Sequence, residues 1–198
     1  MLSLPLPLVL ASSSPRRSHL LRQIGLQFSV QPSEVDESTF STVGVSPDEF
    51  VQILAEAKAR DVASRLSEGA IVLGADTIVV LNGNILGKPL DQTDATQMLR
   101  QLSGKTHIVY TGIAFAESLT LNIHTAFSST EVTFRELDDA EIADYIATGS
   151  PMDKAGAYGI QDDFGAVFVS HIVGCYYTIV GLPLELFYRS LRTIYPRE

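Results

Sequence analysis

Apolar positions follow two rhythms along this chain, short solid or alternating runs and longer stripes at helical spacing, and the two kinds are interleaved. Residues 8–11 (Leu-Val-Leu-Ala) are a solid run followed by three serines, the pattern of a short buried strand entering a turn. Ser14 is a good N-cap and Pro15 suits the first helical position; Leu20, Leu21 and Ile24 then recur at helical spacing until Gly25. Residues 27–30 read as a second short strand. Ser46 with Glu49 forms a capping box around Pro47 and opens a helix to about residue 66, with Phe50, Leu54, Ala57, Val62 and Leu66 as its stripe. Strands are predicted at 70–73 and 77–81, the second a new strand or a continuation of the first. Asn82-Gly83 is a hairpin turn that sets Leu81 opposite Asn84. A helix over 91–102 is closed by Ser103-Gly104, and strands follow at 107–116, 121–127 and 131–134. Asp138 with Glu141 caps a helix reaching Ala147, with Gly149 as its stop. Strands at 166–172 and 176–180 precede a last helix from Gly181-Leu182-Pro183 to about residue 194. Strands and helices mix without strict alternation, which predicts an α/β fold with a mixed sheet. No linker or repeat interrupts it, so residues 1–198 read as a single domain.

Composition narrows the partners. The chain is 45% hydrophobic with a net charge of −9, an ordinary globular balance that argues against general nucleic-acid binding. An anionic ligand would need the few basic residues focused in one cleft. Cys175 is the sole cysteine, which excludes an internal disulfide, and no Cys/His spacing fits a metal. The start is apolar but lacks a basic region and is interrupted by Pro5 and Pro7, unlike a leader. No run approaches the roughly 20 apolar residues of a membrane span. These features predict a cytoplasmic protein with no membrane partner. His19, His107, His124 and His171 are scattered without ligand spacing and are given no role. Tyr176 and Tyr177 read as core and strand residues rather than as a stacking platform.

Four features bear on chemistry. Arg16 and Arg17 occupy a first helical turn, where each cation opposes the helix dipole by roughly 0.3–1 kcal/mol. A bound anion would reverse that sign, and with the serines and free N–H groups would complete a phosphate cradle. Pairing with Glu34, Asp36 or Glu37 is the structural alternative. Lys58 lies on or beside the buried stripe of its helix, so it either snorkels to solvent or enters a cleft to meet phosphate. Asp76 stands in an apolar run, where an unpaired carboxylate would cost several kcal/mol. It must be paired, bound to metal, or open to a cleft, and Lys88 lies on the returning hairpin arm. A regular hairpin would pair Thr77 with Lys88 and turn Asp76 to the other face; convergence needs the register to break, with Gly87 a suitable place. Gly104-Lys105-Thr106 is not a P-loop, because Leu99 stands where that motif needs glycine.

Residues 11–17 (Ala-Ser-Ser-Ser-Pro-Arg-Arg), 34–37, Gly74-Ala75-Asp76-Thr77 and Gly87-Lys88-Pro89, with Lys58 and residues 155–161, together resemble the Maf family of nucleoside triphosphate pyrophosphatases. The resemblance runs from about residue 8 to the last helix. It implies a mixed twisted sheet in two lobes around a long cleft, like inosine triphosphate pyrophosphatases. It also implies cleavage of a nucleoside triphosphate to monophosphate and pyrophosphate with a divalent cation, Mg²⁺ or Mn²⁺. By resemblance Ser12, Arg16 and Arg17 bind phosphate, and Glu37, Lys58, Asp76 and Lys88 line the catalytic centre with Asp76 as proton acceptor. Glu37 and Asp76 can supply the one or two carboxylates that Mg²⁺ typically takes. Arg16, Thr77 and Gln161 match the branch acting on dTTP and UTP, with CTP or modified pyrimidine nucleotides as further substrates. The branch acting on 7-methyl-GTP carries Trp, Gln and Glu at these positions. Nucleotide-pool cleaning, homodimers and an association with arrest of septum formation also come with the family. The alternatives are the 7-methyl-GTP activity and a nucleotide-binding division regulator with little turnover.

Overall fold

The structure, a computed structural model, describes residues 4–161 and 164–196. In chain order these form β1 (Leu8–Leu10), α1 (Pro15–Gln23), β2 (Ser29–Val30), α2 (Pro47–Ser64), β3 (Ile71–Leu81), β4 (Asn84–Leu86), α3 (Gln92–Leu102), β5 (Thr106–Glu117), β6 (Ile123–Phe134), α4 (Asp139–Ala147), β7 (Val169–Val173), α5 (Tyr176–Val180) and α6 (Leu184–Ile194). The strands are ordered β2-β1-β3-β5-β6-β7, with β4 paired to β3. β1 is parallel to both β2 and β3, whereas β3–β4 and β6–β7 are antiparallel, so the sheet is mixed as expected. The segments predicted at 70–73 and 77–81 are one strand, and those at 121–127 and 131–134 are another. The predicted strand at 176–180 is instead the short helix α5, and Tyr176 is exposed. Its run of two aromatic and three β-branched residues suits a strand, and tertiary context overrides that preference. Among the described residues no helix is long and apolar enough to cross a membrane.

The chain divides into two compact units. The first comprises the chain up to Asp76, Thr111–Ser128 and the chain from Gly181; the second comprises Thr77–Tyr110 and Ser129–Val180.

In the first unit, β1 is the middle of three parallel strands, with Leu10 in register with Val30 on one side and Leu73 on the other. Parallel neighbours need a crossover, and α2 is the one between β2 and β3. Its inner face is almost all small: Ala55, Ala59 and Ala63 join Val9, Ala11, Val62, Val72, Ala114 and Ala116 in one buried cluster. Two glycines deepen the contact. A Cβ at Gly74 would overlap the Ala55 carbonyl oxygen and lie 2.8 Å from Ala59 N, and one at Gly112 would overlap the Val51 carbonyl. The α2 backbone therefore rests directly on β3 and β5, closer than any side chain would permit.

In the second unit, the hairpin pairs Leu81 with Asn84 around Asn82 (φ 51°) and Gly83 (φ 80°), the left-handed turn its sequence predicts. Its core gathers Leu99 and Leu102 of α3, Tyr145 and Ile146 of α4, and Val109, Phe134 and Phe168. Into this apolar setting β5 inserts His107, whose Nε2 lies 2.8 Å from the Tyr158 hydroxyl. Burial pulls the imidazole pKa down to about 4. The unfolded imidazole takes up its proton near pH 6.5, so between those values only the unfolded chain carries it. Stability therefore falls as pH drops through that window, by roughly 3 kcal/mol at pH 4 from this residue alone. Urea unfolding at pH 7 and pH 4 should show a smaller acid loss for His107→Phe/Tyr158→Phe than for the parent. Equal losses would mean that the ring protonates in place.

Candidate active site

Two loops, after β1 and β2, and the continuation of β3 leave the carboxyl ends of the parallel strands of the first unit, the usual ligand-bearing edge of such a sheet. The first follows β1. Ser12, almost fully buried, accepts hydrogen bonds from Ser14 N at 3.2 Å and from Arg17 Nη1 at 3.1 Å. Having accepted twice, its hydroxyl retains a hydrogen to donate. Arg17 Nε donates to the Gly181 carbonyl at 2.9 Å, which fixes the guanidinium from its far side. Ser14 is the N-cap of α1 and Pro15 opens it, so this turn aims backbone N–H groups outward where the two arginines begin. Burial lowers the Arg17 pKa from its ordinary value; Asp76 and Glu37 act to raise it, and the nearby charge of Arg16 adds to the lowering.

The second loop follows β2. Asp36 caps a 3₁₀ turn, Glu37–Thr39, by accepting from Ser38 N at 3.0 Å, and Glu37 emerges half-exposed from its start. Glu34, offered above as an arginine partner, pairs with Arg65 at 2.9 Å instead.

The third element is β3 itself. Beyond Leu73, its last residue in register with β1, side chains alternate, so Gly74 and Asp76 share the face that meets α2. Lys58 projects from α2 there and is 8% exposed, which rules out snorkelling. Its Nζ lies 2.6 Å from Asp76 Oδ1 and 2.6 Å from Glu37 Oε1. Asp76 is 5% exposed, and this ion pair supplies the partner that its burial demands. Ser12, Arg17, Glu37, Lys58 and Asp76 thus form one charged cluster, with Arg16 beside it.

Both acids direct an oxygen at one point of positive charge, and both are hard oxygen donors. That donor set fits Mg²⁺ or Mn²⁺ completed by substrate oxygens and water. Among the described residues no group of three or more His, Cys, Asp and Glu gathers to hold a metal alone.

Thr77, Lys88 and Gln161 belong to the second unit. The hairpin ladder stops at Val79 opposite Leu86, and the Gly87 carbonyl accepts from Gly156 N at 3.0 Å instead of from β3. The antiparallel ladder therefore ends before Thr77 and Lys88 could pair. Lys88 is exposed and Gln161 half-buried. Two contributors have no sequence signal: the Gly181 carbonyl, remote in the chain from Arg17, and the Gly74 contact that seats α2.

A family model described as Maf-like protein matches residues 7–194. A dTTP/UTP pyrophosphatase of Pelotomaculum thermopropionicum is 50% identical over 177 residues, covering 89% of this chain and 91% of its own. Proteins of the same name from Moorella thermoacetica and Thermotoga maritima are 51% and 48% identical, covering 89% and 93% of this chain and 89% and 87% of theirs. Among solved structures, a HAM1 protein from Coxiella burnetii is 14% identical and covers 65% of this chain and 73% of its own, with a TM-score of 0.41. With the family model spanning nearly its whole length and relatives at half identity, the chain belongs to the Maf family.

Proposed function

We propose that this chain is a nucleoside triphosphate pyrophosphatase that hydrolyses dTTP and UTP, and related pyrimidine nucleotides, to the monophosphate and pyrophosphate. The observation that carries the reading is the buried Lys58 held between Asp76 and Glu37, beside the Ser12–Arg17 pair. The relatives' shared name supports the choice of nucleotide.

The residues divide the work by charge. Ser12 donates its remaining hydrogen to a phosphate oxygen, and the forks of Arg16 and Arg17 bind the polyphosphate, relieving their own mutual repulsion. A water oxygen attacks the α-phosphorus, the bond to the α–β bridging oxygen breaks, and pyrophosphate departs with that oxygen. Asp76 accepts the water's proton, and Lys58 steadies the carboxylate at 2.6 Å in the orientation that receives it. Glu37 and Asp76 would hold Mg²⁺ or Mn²⁺, which would supply charge neutralisation on the phosphate oxygens when bound. We assign Lys88 to the charge on the leaving group, and Arg16, Thr77 and Gln161 to base choice. The Gln161 amide offers both a donor and an acceptor, which suits the imide edge of uracil or thymine. The cationic base of 7-methyl-GTP would instead meet the like charge of Arg16. In a cytoplasm, such turnover would clear unwanted nucleotides from the pool.

Incubation with dTTP, UTP, CTP and 7-methyl-GTP in the presence of Mg²⁺ or Mn²⁺, followed by product identification, tests this. dTMP or UMP with pyrophosphate is the expected result. Diphosphate with orthophosphate would refute the assigned bond, and turnover restricted to 7-methyl-GTP would move the chain to the other branch. Tight binding without turnover would favour a regulatory role.

A further inference from the structure

The segment that carries Gln161 holds two unfavourable features side by side. Gly156 (φ 69°) and Ala157 (φ 59°) are consecutive left-handed residues, and the second is a fully buried alanine, which rarely adopts that conformation. One contact away, His107 Nδ1 is buried with no hydrogen-bond partner among the described residues. A buried polar atom left unsatisfied and a strained backbone both oppose folding, and such features gather where geometry serves a function.

What they obtain is a segment pinned at three successive points. Gly156 N donates to the Gly87 carbonyl at 3.0 Å, next to Lys88. A Cβ on Gly156 would press on the Val79 side chain at 3.0–3.2 Å, and the positive φ of Gly156 further favours glycine this close to β3. The Tyr158 hydroxyl meets His107 Nε2 of β5 at 2.8 Å, and both rings stand edge-on to Phe134. Gly159 N donates to the Tyr145 hydroxyl of α4 at 3.2 Å. Gln161 follows two residues later. All of these residues lie within the second unit.

We propose that His107 and Tyr158 are positioning residues: their hydrogen bond locks the Gly156–Gly159 segment, and through Gly156 and Gly87 holds Gln161 and Lys88 in one fixed arrangement for nucleotide selection. The selection step rests on the function proposed above; the lock itself does not. A neutral imidazole at this depth gives a single directional contact, and the charged ring would be expelled. Aromatic packing alone would centre the ring of Tyr158 without fixing its rotation or the backbone beyond it.

Tyr158→Phe keeps the ring against Phe134 and removes only the hydroxyl. Amide hydrogen exchange should speed up about tenfold at Gly156 and Gly159 together, whose N–H groups donate to the Gly87 carbonyl and the Tyr145 hydroxyl, while α3 stays protected. The kcat/KM ratio of dTTP over dCTP should fall about tenfold, mainly through KM for dTTP, because a misplaced amide no longer reads the imide edge. The double variant His107→Phe/Tyr158→Phe leaves no polar atom stranded and should recover the melting temperature without recovering the ratio. A purely structural pair predicts the opposite: both substrates lose equally, or the double variant restores selectivity, and either result overturns the proposal. Unchanged exchange at Gly156 also overturns it, whatever the chain hydrolyses. A parent protein that releases no pyrophosphate from dTTP defeats the proposed function instead and leaves the exchange measurement to decide on the lock.

Discussion

Asp76→Asn lowers kcat for dTTP roughly 10³-fold, the middle of the range for loss of a general base, while KM and the melting temperature change little. The substitution is nearly isosteric and leaves an amide oxygen where Oδ1 now receives the Lys58 ammonium at 2.6 Å. Lys58 also keeps its second partner, Glu37, at 2.6 Å, so no buried cation is stranded. What is lost is proton affinity, since an amide cannot take a proton from water at neutral pH, together with one anionic ligand for the divalent cation, which saturating Mg²⁺ in the assay offsets. Because Asp76 is 5% exposed and already engaged on one oxygen, bulk solvent is poorly placed to substitute for it. Steady-state kinetics with product identification decides the matter. A variant within about tenfold of the parent in kcat would remove Asp76 from the proton transfer, since a general base contributes at least 10².

The parts of this fold legible in the sequence are those whose signal is local. The Ser46–Glu49 and Asp138–Glu141 capping boxes, the Asn82-Gly83 turn and the Ser14-Pro15 helix start each rest on a few adjacent residues, and each forms. Periodicity also placed Lys58 on the buried face of its helix. It could not say what faces that side, so snorkelling to solvent and entry into a cleft to meet phosphate both stayed open, and the partner that β3 supplies is Asp76. Whether β3 runs on through Gly74-Ala75-Asp76 stayed open in the sequence, because a glycine and a carboxylate are poor strand residues. The glycine is there because α2 touches the sheet, and the carboxylate because a lysine waits opposite, and both reasons are tertiary. Contacts with no local trace were missed outright. Arg17 meets the Gly181 carbonyl across most of the chain, and His107, given no role on spacing, meets Tyr158. The resemblance to a family named the site residues but not these supports, since motif matching reports residues and not what holds them.

Lys58→Met should cost roughly 3 kcal/mol of stability at neutral pH, the low end for breaking a buried ion pair. At this chain length that is a fall of roughly 6–12 °C in melting temperature. The low end applies because Glu37 is half-exposed and can rehydrate, and because Arg17 still attracts Asp76. Asp76 has no such escape: its carboxylate stays buried and loses the ammonium. Adding Asp76→Asn removes the stranded charge, so Lys58→Met/Asp76→Asn should recover most of the loss although neither native group remains. The cycle formed by the two single variants and the double therefore shows strong coupling in stability, read by urea unfolding. It shows no recovery in turnover, because the proton acceptor is absent from the double variant. An exposed pair would behave differently, with Lys58→Met costing at most about 1 kcal/mol and the double variant gaining nothing. That outcome would mean water reaches Asp76 freely in solution. The divergence of stability from activity across one cycle separates a lysine kept for the fold from one kept for the reaction. A buried pair whose double replacement restores the fold but not the chemistry belongs to the reaction.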